Sequence, residues 1–367
     1  MQKKILAMAV AGAFAAAPAF ASADDSVTLY GQMKYEVGAV DGASEDDGGT
    51  GNRDLVHSAA GSRIGVRGSE DLGGGLTGMF RIQGNFAPSR LDLAATGHSW
   101  NEEVWVGVDG NFGQVRLGQS DTAMKNAMKS FRAFTDTLAD GSTRPGTFGV
   151  SAAQVDGASG ANSWARTTGI HYQSPDFQGF TFGATLEPTG RKTDTYYALN
   201  GMYEMGPMEF SLAYEAQSGA DPSDDDNYGI LAQNSSAVDG DSESYHAGFS
   251  FDFGQGDVGV KYHQWDWDSD SGRAPEGKVH QWLVPANFAV TDQINLRAAV
   301  QYNRNNPDEG STESWTNVAV GAQYHFSNRT EAFVNIWNDG EVGTSPTNSG
   351  GVSDDGTHVG VGLRHSF

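Results

Sequence analysis

Five arginines fall where their charge could gather along one side of a passage. Arg63 and Arg67 share one face of an alternating segment, Arg81 points away from Phe80 and Ile82, Arg116 sits between Val115 and Leu117, and Arg166 follows a long connection. That connection, about 120 to 165, is the longest in the chain and carries Asp136 and Asp140. Acids on one side of an aqueous passage and guanidiniums on the other would create a transverse field, which orients dipolar solutes and breaks no bond. Bond chemistry has little to build on. The nine His are scattered, no GxSxG, HExxH or P-loop motif occurs, and the chain has no Cys to act as nucleophile or thiolate ligand. Gly73 to Gly78 matches GxGxxG in form but joins two strands and leads into no helix, which argues against a nucleotide site. The expectation is a protein that is not an enzyme.

Positioning such walls requires strands. Alternation of apolar and polar residues recurs from Val27 to Phe367, as in Ile64 and Val66 against Arg63, Gly65 and Arg67, or Phe80 and Ile82 against Met79, Arg81 and Gln83. This is the period of a strand with two unlike faces. Sixteen such segments can be placed, the first at 27–39, the second at 61–70 and the last at 357–367. Short connections alternate with long ones, and an even count sorted in this way is the pattern of an up-and-down barrel with tight turns at one rim and loops at the other. Strand arginines turned to lipid would each cost a few kcal/mol at mid-depth, so Arg63, Arg67, Arg81 and Arg116 are assigned to the inner wall. Thr122–Phe134 reads as a short helix at the start of the long connection, which is assigned as a loop inserted into the lumen. Aromatic residues near strand ends, Tyr30, Phe86, Trp105, Phe112, Tyr172, Phe180, Phe326 and Trp337, are assigned to interfacial girdles.

The N-terminus bears a basic start at Met1 to Lys4, an apolar run at Ile5 to Phe20 and small-x-small sites ending at Ala21 and Ala23. This is the form of a cleaved secretory signal over residues 1–23, leaving 24–367 as one barrel domain. No other segment approaches the ~18 continuous apolar residues of a spanning helix, so a membrane crossing would have to be a closed β-barrel. Acids outnumber bases 46 to 23, for a formal charge of −23, which excludes a nucleic-acid backbone as partner. Most acid clusters fall in the long connections. No cofactor is expected apart from Ca²⁺ or Mg²⁺ at the acidic outer loops, where Asp266, Asp268 and Asp270 begin a calcium-loop spacing whose closing acid is missing at Gly277. The acidic mouth and loop also suggest weak cation selectivity.

Four blocks carry a resemblance. Val27-Thr28-Leu29-Tyr30-Gly31, the stretch from Ser62 to Leu76, Phe112 to Gln119 and the closing Val361 to Phe367 resemble the Gram-negative general porins, over the whole mature chain. The resemblance implies a 16-stranded antiparallel transmembrane β-barrel in the outer membrane, a homotrimer whose long third loop folds into the lumen, passing small hydrophilic solutes and ions passively. It implies that Arg63 and Arg166 are wall arginines facing loop acids Asp136 and Asp140. Phe367 matches the aromatic end that such proteins present to the barrel-assembly machinery, and lipopolysaccharide is an expected neighbour. The chain departs from the family in lacking the acidic Pro-Glu-Phe-Gly-Gly motif of enterobacterial members and in having Glu102 where the family has a basic residue. Two other readings fit the residues: a sugar-selective channel with Trp265, Trp267 and Trp282 as stacking surfaces, and a secreted calcium- or glycan-binding β-protein.

Overall fold

The computed structural model describes residues 26–41, 53–59, 61–85, 102–140, 166–188, 195–220, 240–269, 276–308, 310–339 and 356–367. The strands are β1 (Ser26–Asp41), β2 (Arg53–Ser58), β3 (Arg63–Gly73), β4 (Leu76–Asn85), β5 (Glu103–Gly110) and β6 (Gly113–Asp121), followed by a one-turn-and-a-half helix α1 (Ala123–Met128). After it come β7 (Arg166–Gln173), β8 (Phe180–Glu187), β9 (Thr195–Met205), β10 (Met208–Ala220), β11 (Gly240–Asp252) and β12 (Gly256–Ser269). The chain closes with β13 (Gly277–Ala289), β14 (Ile294–Pro307), β15 (Glu313–Ser327), β16 (Thr330–Asp339) and β17 (Gly356–Ser366).

From β3 onward each strand pairs antiparallel with the next, and β1 pairs with β17 from Gln32↔Ser366 to Ala39↔Val359, so the sheet closes on itself. β2 and β3 both lie along β1 and make up one wall position, giving a closed 16-strand barrel. Residues 53–58 were expected to be loop; they extend the second wall strand instead. At the break, Ser62 Oγ accepts from the Lys34 N–H and donates to the Lys34 carbonyl, both at 3.0 Å, so a side chain replaces the missing ladder rung. At the seam Phe367 exchanges backbone hydrogen bonds with Gly31 at 3.0 and 3.1 Å. A Cβ on Gly31 would stand 2.6 Å from the Phe367 ring, so only glycine lets that ring lie against the seam.

Burial alternates with the sequence pattern. Along β14, Arg297, Ala299, Gln301, Asn303 and Asn305 are buried while Leu296, Val300 and Tyr302 face out. Exposed large hydrophobics recur on the outward face of nearly every strand, and Ile82 is among them. The apolar face therefore meets lipid and the polar face meets the lumen, the reverse of a soluble protein. Val106 is outward and 51% exposed. Substituting Val106→Arg places a charge in hydrocarbon at a cost of about 2–4 kcal/mol near mid-depth; we expect the folded, heat-modifiable band on electrophoresis to fall sharply relative to Val106→Leu.

Phe112, Tyr172, Phe180 and Phe326 point outward, the orientation a girdle requires. Tyr30, Trp105 and Trp337 instead turn into the lumen, Trp337 being buried; an aromatic side chain with a polar handle suits either environment. Phe86 and the signal segment 1–23 lie outside the described residues. Among the described residues the buried apolar clusters lie inside the barrel, where the chain after β6 packs against the wall.

Candidate functional site

The chain leaves the wall at Asp121 and turns into the lumen. Thr122 caps α1, its Oγ1 accepting from the Lys125 N–H at 3.1 Å. Ala123, Met124 and Met128 of α1 pack on Tyr196, Ala198 and Ala213 of β9 and β10, and Asn200 Nδ2 donates to the Ala123 carbonyl at 2.7 Å. The helix is shorter than expected, because the chain must then bend to follow a curved wall. Phe131 seats against Gly248 and Gly259, where the wall has no side chains. Ala133, Phe134, Leu138 and Ala139 pack on Leu283, Ala299, Ala319 and Trp337. The Arg297 guanidinium lies 4.8 Å over the Phe134 ring and donates to Asn335 Oδ1 at 2.8 Å.

The inserted segment then reaches β1. Lys34 Nζ donates to the Asp136 carbonyl at 2.5 Å, Arg364 Nη2 to the Thr135 carbonyl at 2.6 Å, and the Leu138 N–H to Glu36 Oε2 at 2.9 Å. Lys34 and Glu36 are themselves a buried pair at 3.0 Å. Asp136 has φ +61°, a conformation Asp tolerates better than most residues. It rests on Gly61, where a Cβ would come within 2.5 Å. The segment thus crosses the barrel from β6 to β1 along the β8–β17 wall. The β3–β4 wall stays open to the lumen among the described residues: Arg67 is exposed, and Arg63 and Arg81 keep 33% and 31% of their side-chain surface.

Where the segment departs, charges concentrate. Asp121 binds Lys125 and Lys129 at 2.7 Å each and Arg166 Nε at 2.9 Å, and Arg166 Nη2 reaches Glu102 Oε1 at 2.9 Å. Glu102 also accepts from Gln83. Burial pulls the Lys125 ammonium down to about 8, against the opposing pull of Asp121. Arg166 is therefore tied into the anchor of the loop. Asp136 and Asp140 do lie on the inserted segment, but each is paired: Asp136 with Arg63 at 3.6 Å and Arg132 at 3.7 Å, Asp140 with Arg132 and with the Asp136 N–H.

The remaining predicted bases form an arc on β3, β4 and β6. Arg67 and Arg81 stand directly opposite each other in the register, with Arg63 on the same face. Arg116 lies 5.5 Å over the Trp105 ring. Glu103 is the nearby acid, 3.8 Å from Arg81. Sequence reasoning missed Lys34, Glu36, Lys125, Arg132, Arg297, Arg364, Glu103 and Asp121. For Lys34 and Glu36 the signal was present, since they alternate with Met33, Tyr35 and Val37 along β1.

One expectation is corrected. Trp282 faces outward, 4.6 Å from Tyr262, so it cannot stack solutes beside Trp265, which is buried on the inner face. Of the residues with the calcium-loop spacing, Asp266 is held by Lys278 at 2.9 Å and by Gln264, and Asp270 lies outside the described residues.

A closed barrel with lipid outside, polar groups inside and a segment folded across its lumen has the build of an outer-membrane channel. The chain belongs to the Gram-negative porin family, whose profile matches residues 7–343. It is 27% identical to outer membrane porin protein 32 of Delftia acidovorans and 26% identical to major outer membrane protein P.IB of Neisseria meningitidis, covering all of each chain. Among solved structures it resembles the anion-selective porin from Comamonas acidovorans, with TM-score 0.72, 24% identity, 94% of this chain and 100% of that one. OmpT of Vibrio cholerae in its trimer form gives TM-score 0.67 at 16% identity, over 94% and 99%. The protein is a passive channel of the outer membrane. Its family and fold are those of channel proteins.

Proposed function

We propose that the protein is a general-diffusion pore for small hydrophilic solutes and ions whose narrowest passage runs between the arginine arc and the inserted loop. Arg63, Arg67, Arg81 and Arg116 supply the basic wall, Asp136 and Asp140 the acidic side, and Arg166 anchors the loop. One observation carries the reading on ion preference: both loop acids are paired, Asp136 with Arg63 and Arg132 and Asp140 with Arg132, while Arg67 is exposed and Arg63 and Arg81 keep about a third of their side-chain surface. The net charge offered to a passing ion is therefore positive, and a weak preference for anions replaces the expected cation preference, which has no support from the lumen described above. The anion-selective Comamonas relative points the same way.

The proposal extends to a homotrimer, by analogy with the trimeric OmpT, to export by the 1–23 signal, and to recognition of Phe367 by the barrel-assembly machinery. Contact of the acidic outer loops with lipopolysaccharide through Ca²⁺ or Mg²⁺ belongs to the same reading, supported by the acid clusters of the sequence. The test is reconstitution of the heat-unmodified oligomer in a planar bilayer under a KCl gradient. A reversal potential toward the chloride equilibrium value is expected; one of potassium sign overturns the anion preference, and absence of steps overturns the pore.

A further inference from the structure

Tyr30 lies on the inner face of β1 between two guanidiniums, Arg67 at 5.2 Å and Arg81 at 5.4 Å from its ring centroid. Its hydroxyl donates to Gln83 Oε1 at 2.8 Å and accepts from Arg81 Nε at 2.6 Å. The residue opposite it on β3 is Gly65, and a Cβ there would stand 2.6 Å from the Tyr30 ring. The missing side chain is what lets the ring lie flat across β3 and reach Arg81 on β4. The second aromatic of the arc is Trp105, opposite Gly118 across β5 and β6. The indole carries Arg116 over its face and donates through Nε1 to Glu103 Oε2 at 2.5 Å. Glu103 in turn meets Arg81 and accepts from Ser120 Oγ at 3.3 Å.

The result is a chain of alternating partners on five neighbouring strands: Arg67, Tyr30, Arg81, Glu103 with Trp105, and Arg116. Two like charges directly opposite in a sheet repel, and a free arginine side chain would splay into the lumen or fold onto an acid. An aromatic face attracts a guanidinium without adding charge. We infer that Tyr30 and Trp105 are positioning residues for ion selectivity, holding the arginine arc at a fixed place in the lumen without contacting the permeating ion. The inference rests on the reading that the arc sets the anion preference.

The experiment measures the anion-to-cation permeability ratio of the full-length oligomer in planar bilayers for Tyr30→Leu, Tyr30→Phe, Trp105→Leu and Trp105→Phe, none of which alters net charge. Losing the ring should lower the ratio about two- to fivefold, the range set by a lost cation–aromatic contact. The Phe variants, which keep the ring, should retain most of it. Retention of the wild-type ratio in both Leu variants, while Arg67→Gln with Arg81→Gln still lowers it, overturns the inference and leaves the arc's role intact. An unchanged ratio in the arginine variant overturns the underlying reading itself. Should the Leu variants not fold, Gly65→Ala displaces the Tyr30 ring from the opposite strand; it should lower the ratio as well, and a wild-type value there counts against the inference.

Discussion

Replacing Arg67, Arg81 and Arg116 together by Gln removes the anion preference and moves the reversal potential in a KCl gradient to the potassium side of zero. Each guanidinium interacts with an ion ~6 Å away by on the order of 0.7 kcal/mol in water, about threefold in relative permeability per residue, so three residues outweigh a weak preference of either sign. The acids left behind, Glu103 and those of the loop, then dominate the passage. Because the charges face water, the effect should shrink as salt rises and the screening length falls below about 10 Å. A triple variant with an unaltered reversal potential at 0.1 M salt would show that the arc is not the selectivity element.

Asp121→Asn should have the largest effect on stability. Asp121 is buried and serves Lys125, Lys129 and Arg166 at once. Removing one partner of a buried charge group leaves the others uncompensated, a loss of about 3–5 kcal/mol. The expected result is a marked drop in the temperature at which the folded oligomer converts to the unfolded band. The surviving channels should show noisy, enlarged steps, because the anchor of the inserted loop is gone. Lys129→Gln is the comparison: that side chain is 46% exposed, and an exposed ion pair contributes only about 0–1 kcal/mol. Equal effects from the two variants would mean that the junction is not a stabilising centre.

The contrast between these residues shows what could be read from the chain. Wall strands were legible because each had to present alternate residues to two solvents, and lipid tolerates no arginine; hence Arg63, Arg67, Arg81 and Arg116 were placed on the correct face. The inward turn of Tyr30, Trp105 and Trp337 was not, since an aromatic ring is at home at a membrane interface and in a wet lumen alike. Nor could the pairing of Asp136 be read. Its partners Lys34 and Arg63 lie on β1 and β3, brought to it only by the closed barrel, and the contact with Lys34 spans 102 residues. Where the inserted segment lands depends on side-chain vacancies such as Gly61 and Gly248, which only the closed structure brings beneath it. Arg166 shows the same limit: the family resemblance made it a wall arginine, and it does open β7, but its pairing with Asp121 and Glu102 joins residues 45 and 64 positions away that only the closed sheet brings together.

The seam between β1 and β17 has a consequence for biogenesis. β1 is synthesised first but needs neighbours on both edges, and one of them is β17, the strand made last. Until that strand arrives, the growing sheet has an unzipped margin of bare amide and carbonyl groups that hydrocarbon cannot satisfy. Closure is therefore a single late event, and a polypeptide cut short before β17 is left open along its whole height however well its other strands have formed.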